Sequence, residues 1–329
     1  MEQRKDILTV GIATLALTLI LRFALLPFDG KTALSLFLYL QTGRFISYST
    51  ATQPPTTPTL PPVVDTVSPS PLSITVSAKD GEKVQLNNLT DKEPNIQQLL
   101  LSPLKWNLKS DQPTVLIVHT HATESYTKQP WELYEEESDY RTLNSGYNML
   151  SVGEELAKLL EEQGIGVLHD RTLHDYPSYS GSYNHARQSI AKYLEAYPSI
   201  CMVIDLHRDA LNFSQDPQLT TAATVDGISS AQLMVVAGTD QNVSYDGWQE
   251  NLALGVKLTA VLEKMHPGIT RPIQLRAQRF NLDMTPGSLL IEVGANGNTH
   301  SEALVATRAL SEAICAMAQG VNLQNAPPA

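Results

Sequence analysis

Val115-Leu116-Ile117-Val118-His119-Thr120-His121-Ala122-Thr123-Glu124-Ser125 is the stretch from which the fold of this chain can be read. Four apolar residues, mostly β-branched, form a short unbroken run, the pattern of a strand buried on both faces. The run ends at two histidines and a carboxylate. Two later stretches repeat the design: Met202-Val203-Ile204-Asp205-Leu206-His207-Arg208-Asp209 and Leu289-Leu290-Ile291-Glu292-Val293-Gly294. Each brings ionisable groups to the C-terminal end of an apolar strand. In an open α/β sheet, sites form outside the carboxyl ends of the strands. The expectation is that the three strands lie side by side and share one metal centre.

The segments between them alternate in type. Residues 146–163, with Leu150, Leu156, Leu159 and Leu160 on one stripe, read as a helix that Gly164 closes. Residues 183–197 and 248–265 read as further helices, the second stopped by Pro267-Gly268. Residues 301–319 form a last one, with Thr299 or Ser301 as its cap. Strands are expected at 165–168, 201–206, 233–237 and 289–293. Such alternation predicts an α/β fold, a mainly parallel sheet flanked by helices on both faces.

Ahead of this domain the chain changes character. Arg4 and Lys5 precede an almost wholly apolar run from Ile7 to Leu21, followed by Arg22 and a second apolar patch. A basic start before an apolar segment of about 20 residues reads as an uncleaved signal anchor, with Arg22 snorkelling to the interface. The positive-inside rule then leaves the N-terminus in the cytoplasm and the remainder outside. The expected organisation is an anchor at 1–30, a juxtamembrane and proline-rich spacer at 31–71, a lead-in at 72–113, a hydrolase domain at 114–320 and a tail at 321–329. The spacer holds Gln53-Pro54-Pro55-Thr56-Thr57-Pro58, whose prolines keep it extended. The lead-in has a strand near 74–78 and a short helix near 96–101.

The 329 residues carry a formal net charge of −11, which argues against nucleic acid, since phosphate recognition needs clustered Lys and Arg. Two cysteines, Cys201 and Cys315, sit in apolar surroundings and are too few for a cysteine metal site. There is neither a GxSxG elbow nor a glycine-rich phosphate loop.

The candidate chemistry therefore rests on the strand ends. His119 and His121 flank Thr120, so in an extended backbone both point to one side. His121 and Glu124 have the HxxE spacing that can bring an imidazole and a carboxylate to one ion. Catalytic zinc takes three such ligands and keeps a position open. Asp205 shares a strand face with His207 and either orients it or is a hydrogen-bonded strand residue. Arg208 faces the other way, to bind a substrate carboxylate or to pair with Asp209. Glu292 follows apolar residues and needs a partner, because a lone buried carboxylate is costly; as general base it would deprotonate water. Tyr179 belongs to the aromatic and polar loop 174–183, which either lines a groove for a sugar–peptide polymer or is a solvated loop ahead of a helix. Asn296 and Asn298, interleaved with Gly294 and Gly297, form a turn beside the site or serve turn chemistry alone.

The segments VLIVHTHATESY (115–126), GIGVLHDRTLHDYPSYSGSYNHAR (164–187), DLHRDA (205–210) and IEVGANGN (291–298) together resemble the stage II sporulation protein P family, over roughly residues 100–320. The resemblance implies a membrane-anchored peptidoglycan hydrolase of endospore-forming bacteria, acting outside the mother-cell membrane during engulfment. It further implies N-acetylmuramoyl-L-alanine amidase activity with endopeptidase activity on cross-links, and stage II sporulation proteins D and M as partners. The family is similar to zinc-dependent amidases with His, Glu and His ligands and a catalytic Glu. Carried over, His207 and Glu292 match. Either His119 or His121 supplies the first histidine, with His121 preferred as ligand. No Glu opens the helix near 144–148, so Glu124 takes the middle position. The expected metal set is His121, Glu124 and His207 around Zn²⁺, the catalytic set Glu292, His207 and His119, and the substrate contacts Arg208, Tyr179 and Asn296. A cross-link endopeptidase and a non-catalytic peptidoglycan-binding scaffold are the alternatives.

Overall fold

The computed structural model describes residues 74–103, 107–138, 140–211 and 219–320, and the backbone of 322–324. The anchor expected at 1–30 and the spacer at 31–71 lie outside the described residues. Among the described residues, no helix is long and apolar enough to cross a membrane.

Strand β3 (Val115–Val118) is buried along its whole length. Its continuous apolar run is needed because both faces are covered. Val115 and Ile117 enter the larger core, while Leu116 and Val118 enter a smaller one on the opposite face. β5 (Met202–Asp209) lies parallel on one side of it and β4 (Val167–His169) on the other. β10 (Ser288–Ala295) pairs with β5 in parallel, with Glu292 opposite His207. The three strands that carry the candidate site residues are thus consecutive in the sheet.

With β1 at Thr75–Ser77, β2 at Leu86–Asn88, β8 at Leu233–Gly238 and β9 at Ile273–Arg276, the main sheet has seven strands in the order β2-β9-β8-β10-β5-β3-β4. Every neighbouring pair is parallel except β10 and β8. That exception follows an antiparallel hairpin, β6 (Ala222–Val225) and β7 (Ile228–Ala231), that the sequence reading did not contain. Its strands are too short for alternation to show, and its signal is instead the two-residue turn Asp226-Gly227, both at positive φ.

Helices cover both faces, unequally. In chain order after the short α1 (Ala78–Gly81) and α2 (Ile96–Leu101) come α3 (Met149–Glu162), α4 (Ser182–Ala196), α5 (Trp248–Met265) and α6 (His300–Ala318). α3, α5 and α6 share the larger core, and α5 is buried nearly all round its circumference. The opposite face is covered by α4 through Ile190. Local chemistry sets the helix ends. Asn148 caps α3 by accepting from Leu150 N, so the helix starts after residue 146. Thr299 and Glu302 form a reciprocal capping box on α6, which selects Thr299 over Ser301. Gly164 follows α3 at φ +77°, a left-handed position suited to glycine.

The stretch before residue 114 is part of this architecture. β2 pairs with β9 at the edge of the main sheet, and α2 packs on α5. Lys257 of α5 is fully buried, and its Nζ donates to the Leu99 and Leu100 carbonyls, each at 2.6 Å. The ammonium thereby satisfies the Leu100 carbonyl at the end of α2 and shares that of Leu99 with Ser102 N. Burial pulls its pKa down to about 8. β1 pairs in parallel with β11 (Asn322–Gln324), within the stretch expected to be a tail.

Candidate active site

The strand ends meet where β3 stops and residues 120–123 turn. Asp205 of β5 makes that turn. Its Oδ1 accepts from Thr120 N at 2.8 Å and its Oδ2 from Thr120 Oγ1 at 2.6 Å. Because the backbone turns there, strand alternation no longer governs the side chains of 119 and 121. This corrects the expectation that both histidines point to one side. His119 is turned toward β4 and α3. Its Nδ1 lies 3.1 Å from the Leu206 carbonyl and its Nε2 2.8 Å from His169 Nε2. Donation from Nδ1 to Leu206 leaves Nε2 to accept from His169, so both nitrogens are engaged inside the protein. Burial, and then His169, push its pKa down to about 3.

That histidine pair accounts for a glycine in the interior of a helix. A Cβ on Gly153 of α3 would stand 2.4 Å from His119 Nε2 and 2.6 Å from His169 Nε2. Glycine costs a helix about 1 kcal/mol relative to alanine, yet overpacking a full core costs about 1–3 kcal/mol. We therefore expect Gly153→Ala to destabilise the protein in denaturant unfolding, against its helix propensity. A more stable variant would show that the pair yields freely.

His121 belongs to a different group. Its ring stacks on Tyr179 with centroids 4.5 Å apart and stands edge-on to His207 at 5.2 Å. The Tyr179 hydroxyl is 3.2 Å from His121 Nε2, while His121 Nδ1 is buried without a hydrogen-bond partner. Burial lowers the His121 pKa to about 4, against the pull of Glu124.

His207 is buried between two carboxylates. Its Nε2 is 2.9 Å from Asp205 Oδ1, and its Nδ1 is 3.5 Å from Glu124 Oε2. The first is a contact of charge, since Nε2 makes no aligned hydrogen bond. Burial opposes charge on this ring, but Asp205 and then Glu124 raise its pKa well above the ordinary value. For Glu124, burial works toward the neutral form, and Arg208 and His207 outweigh it, holding the carboxyl well below its usual range.

Glu292 completes the group. It is half-buried, and its Oε2 has no hydrogen-bond partner. Burial raises its pKa to about 8; His207 opposes this, and the carboxylates of Glu124 and Asp209 add to it. Two groups side by side, one cationic ring and one carboxyl able to take or give a proton near neutrality, are what acid–base chemistry requires.

The expected substrate contacts divide. Tyr179 is 59% exposed and open to a ligand. Arg208 points inward: Nε donates to the Ser125 carbonyl at 2.8 Å and Nη2 to that of Tyr140 at 2.9 Å. The pairing foreseen with Asp209 is taken by Arg271, at 2.7 Å. Asn296 is also buried, its Oδ1 accepting from Leu211 N at 2.8 Å and its backbone N–H donating to Asp209 O. Asn298 Oδ1 accepts from Thr221 and Ala295. In place of substrate contacts, Arg208, Asn296 and Asn298 hold the loops beyond the strand ends.

One residue that matters here, Arg141, was invisible in the sequence, and its partner Asp175 lies in the aromatic and polar loop 174–183. Arg141 donates through Nη1 to Asp175 Oδ2 at 2.7 Å and through Nη2 to Glu124 Oε1 at 3.3 Å, and its guanidinium lies 5.0 Å from the Tyr179 ring. Asp175 in turn accepts from Thr123 Oγ1 at 2.6 Å. An arginine in a long polar loop shows no periodicity or spacing that could single it out. Beside this network lies a cavity of about 300 Å³.

Among the described residues, no three His, Cys, Asp or Glu side chains stand ready as a metal-binding group. His121, Glu124 and His207 nevertheless provide imidazole and carboxylate donors, with His207 beside each of the other two, and the orphaned His121 Nδ1 suits a cation.

The chain is similar to several known proteins. The chain is 27% identical to stage II sporulation protein P of Bacillus subtilis (strain 168) over 263 residues, which is 76% of this chain. It spans 61% of that relative's length. Among solved structures it is similar to the N-acetylmuramoyl-L-alanine amidase AmiC2 of Nostoc punctiforme, at 14% identity and a TM-score of 0.36, covering 61% of this chain and 93% of that one. It is also similar to an N-acetylmuramoyl-L-alanine amidase from Clostridium difficile 630, at 17% identity and a TM-score of 0.37, covering 63% and 94%. The family model described as stage II sporulation protein P matches residues 65–315. That match runs through all three strands bearing the site residues, and the chain belongs to the stage II sporulation protein P family.

Proposed function

We propose that this protein hydrolyses amide bonds of peptidoglycan, cutting between N-acetylmuramic acid and L-alanine, with the peptide cross-links as a second target, during engulfment in endospore formation. The observation that carries this reading is Glu292, a half-buried carboxyl with an unpartnered oxygen and a pKa raised to about 8, in register with His207. Membership of a sporulation family supports the setting. In this reading residues 1–30 tether the protein to the membrane, the hydrolase works on its outer face, and stage II sporulation proteins D and M work beside it.

The residue types of His121, Glu124 and His207 suit zinc, which His207 would hold only after giving up the proton it carries between Asp205 and Glu124. When bound there, zinc supplies a Lewis acid for the scissile carbonyl and for water. This chain's own residues do the rest. Glu292 takes a proton from the attacking water at its free Oε2 and gives it to the leaving amine nitrogen. Asp205 fixes His207 against the β3 turn. Arg141 and Arg208 keep Glu124 ionised in a buried place, and Tyr179 presents an aromatic face to the substrate.

The test is to incubate the full-length protein with purified sacculi, with and without a zinc chelator, and to identify released fragments by mass spectrometry. Free stem peptides that disappear on chelation are expected. Split cross-links with intact stems would move the main activity to the endopeptidase. Digestion that survives chelation would remove zinc from the scheme, and no product from any sacculus would leave a binding scaffold.

A further inference from the structure

The cavity beside His121 has a chemical character that the hydrolase reading does not use. Its walls include the rings of Tyr176 and Tyr179, 50% and 59% exposed, with Pro177 and Leu143. Tyr179 is common to the cavity and to the candidate site, through its stack on His121. Three charged residues line the space: Glu137, Arg141 and Asp175.

Their balance decides what can enter. Arg141 is engaged with Asp175 at 2.7 Å, Thr123 at 3.0 Å and Glu124 at 3.3 Å. One cation thus faces two carboxylates before Glu137 is considered. The Glu137 side chain is exposed and has no ion-pair or hydrogen-bond partner among the described residues. An incoming carboxylate would meet Glu137 and Asp175, with Arg141 already shared. A cation would meet the unpaired Glu137 carboxylate and the ring of Tyr176, since Tyr179 is already stacked on His121 and lies under the Arg141 guanidinium. Leu143, Pro177 and the flank of Tyr176 offer apolar surface for methylenes behind such a head. At about 300 Å³ the cavity is at the small end of ligand sites, suited to one side chain.

We propose that this cavity is a specificity subsite for a primary ammonium on a short aliphatic chain, the side chain of a diamino acid in the substrate peptide. The proposal rests on the hydrolase reading, because a peptide held at His121 extends past Tyr179 into this space.

The experiment is isothermal titration of the full-length protein with the tripeptide L-Ala–D-Glu–L-Lys and with its Nε-acetyl derivative. An exposed ion pair and a cation–π contact together predict about tenfold tighter binding of the free amine. Glu137→Gln is expected to narrow the preference to about two- to fivefold, as the ion pair disappears and the cation–π contact remains. Equal affinities for the wild type, absence of binding by either peptide, or an undiminished preference in Glu137→Gln would overturn the proposal. Sacculus digestion run alongside keeps the two readings separate. Discrimination in binding without any digestion sinks the hydrolase and leaves an ammonium site. Digestion without discrimination keeps the hydrolase and removes the subsite.

Discussion

Replacing Glu292 by Gln is expected to leave the protein folded and to lower peptidoglycan hydrolysis by about 10²–10⁴-fold, the usual contribution of a positioned proton-transfer group. Gln keeps the shape of the side chain and cannot accept a proton. In the metal-free protein, burial raises the pKa of this carboxyl to about 8. That shift gives a stability signature. The folded chain holds this proton more tightly than the unfolded chain does, so ionising Glu292 destabilises the fold as pH climbs from about 4.5, its ordinary value, to about 8. Gln removes that loss. The metal-free variant should melt above the wild type at pH 9, and the gap should close at pH 4. Activity within tenfold of wild type would move the proton transfer to another group. A melting gap unchanged with pH would mean that Glu292 is solvated in the folded state.

Gly287→Ala is expected to disrupt the fold itself. Gly287 precedes β10 at φ +133°, a region that is essentially restricted to glycine. An added Cβ would lie 2.1 Å from the Cys201 carbonyl oxygen. Neither backbone has room to retreat. Gly287 N donates to Asn251 Oδ1 at 2.6 Å and its carbonyl accepts from Val203 N, while Cys201 N is bonded to Thr114 O. Strain of about 1–3 kcal/mol and overpacking of about 1–3 kcal/mol combine here, a large part of a typical domain's stability. The clash sits where β5 and β10 begin to pair, so it also threatens the register that sets Glu292 opposite His207. Denaturant unfolding would check this. A loss under about 1 kcal/mol would show that the strands can separate at this end without cost.

How far the sequence reaches is visible strand by strand. The apolar runs at Val115, Met202 and Leu289 became the three consecutive strands β3, β5 and β10, and the four long helices begin and end within a few residues of their caps. Those features follow from local causes: burial favours continuous apolar runs in a covered sheet, and capping is settled by residues three apart. The short strands β2 and β9 had no such signal, and they form because partners distant in the chain supply their hydrogen bonds; the β6–β7 hairpin is local, and its signal is the Asp226-Gly227 turn.

The site divides in the same way. That His121, His207 and Glu292 stand at the ends of apolar strands was determined by the sequence alone, whereas the turn at 120–123 carries Glu124 back to them. Tertiary structure alone decided which way each side chain points beyond the strand. Asp205 bends the backbone at Thr120 and so separates His119 from His121. Carbonyls of Ser125 and Tyr140 draw Arg208 inward, and Asp175 and Glu124 recruit Arg141 from a loop without pattern. Such choices depend on desolvated charges finding partners across long sequence separations, and neither periodicity nor spacing along the chain records where those partners will be.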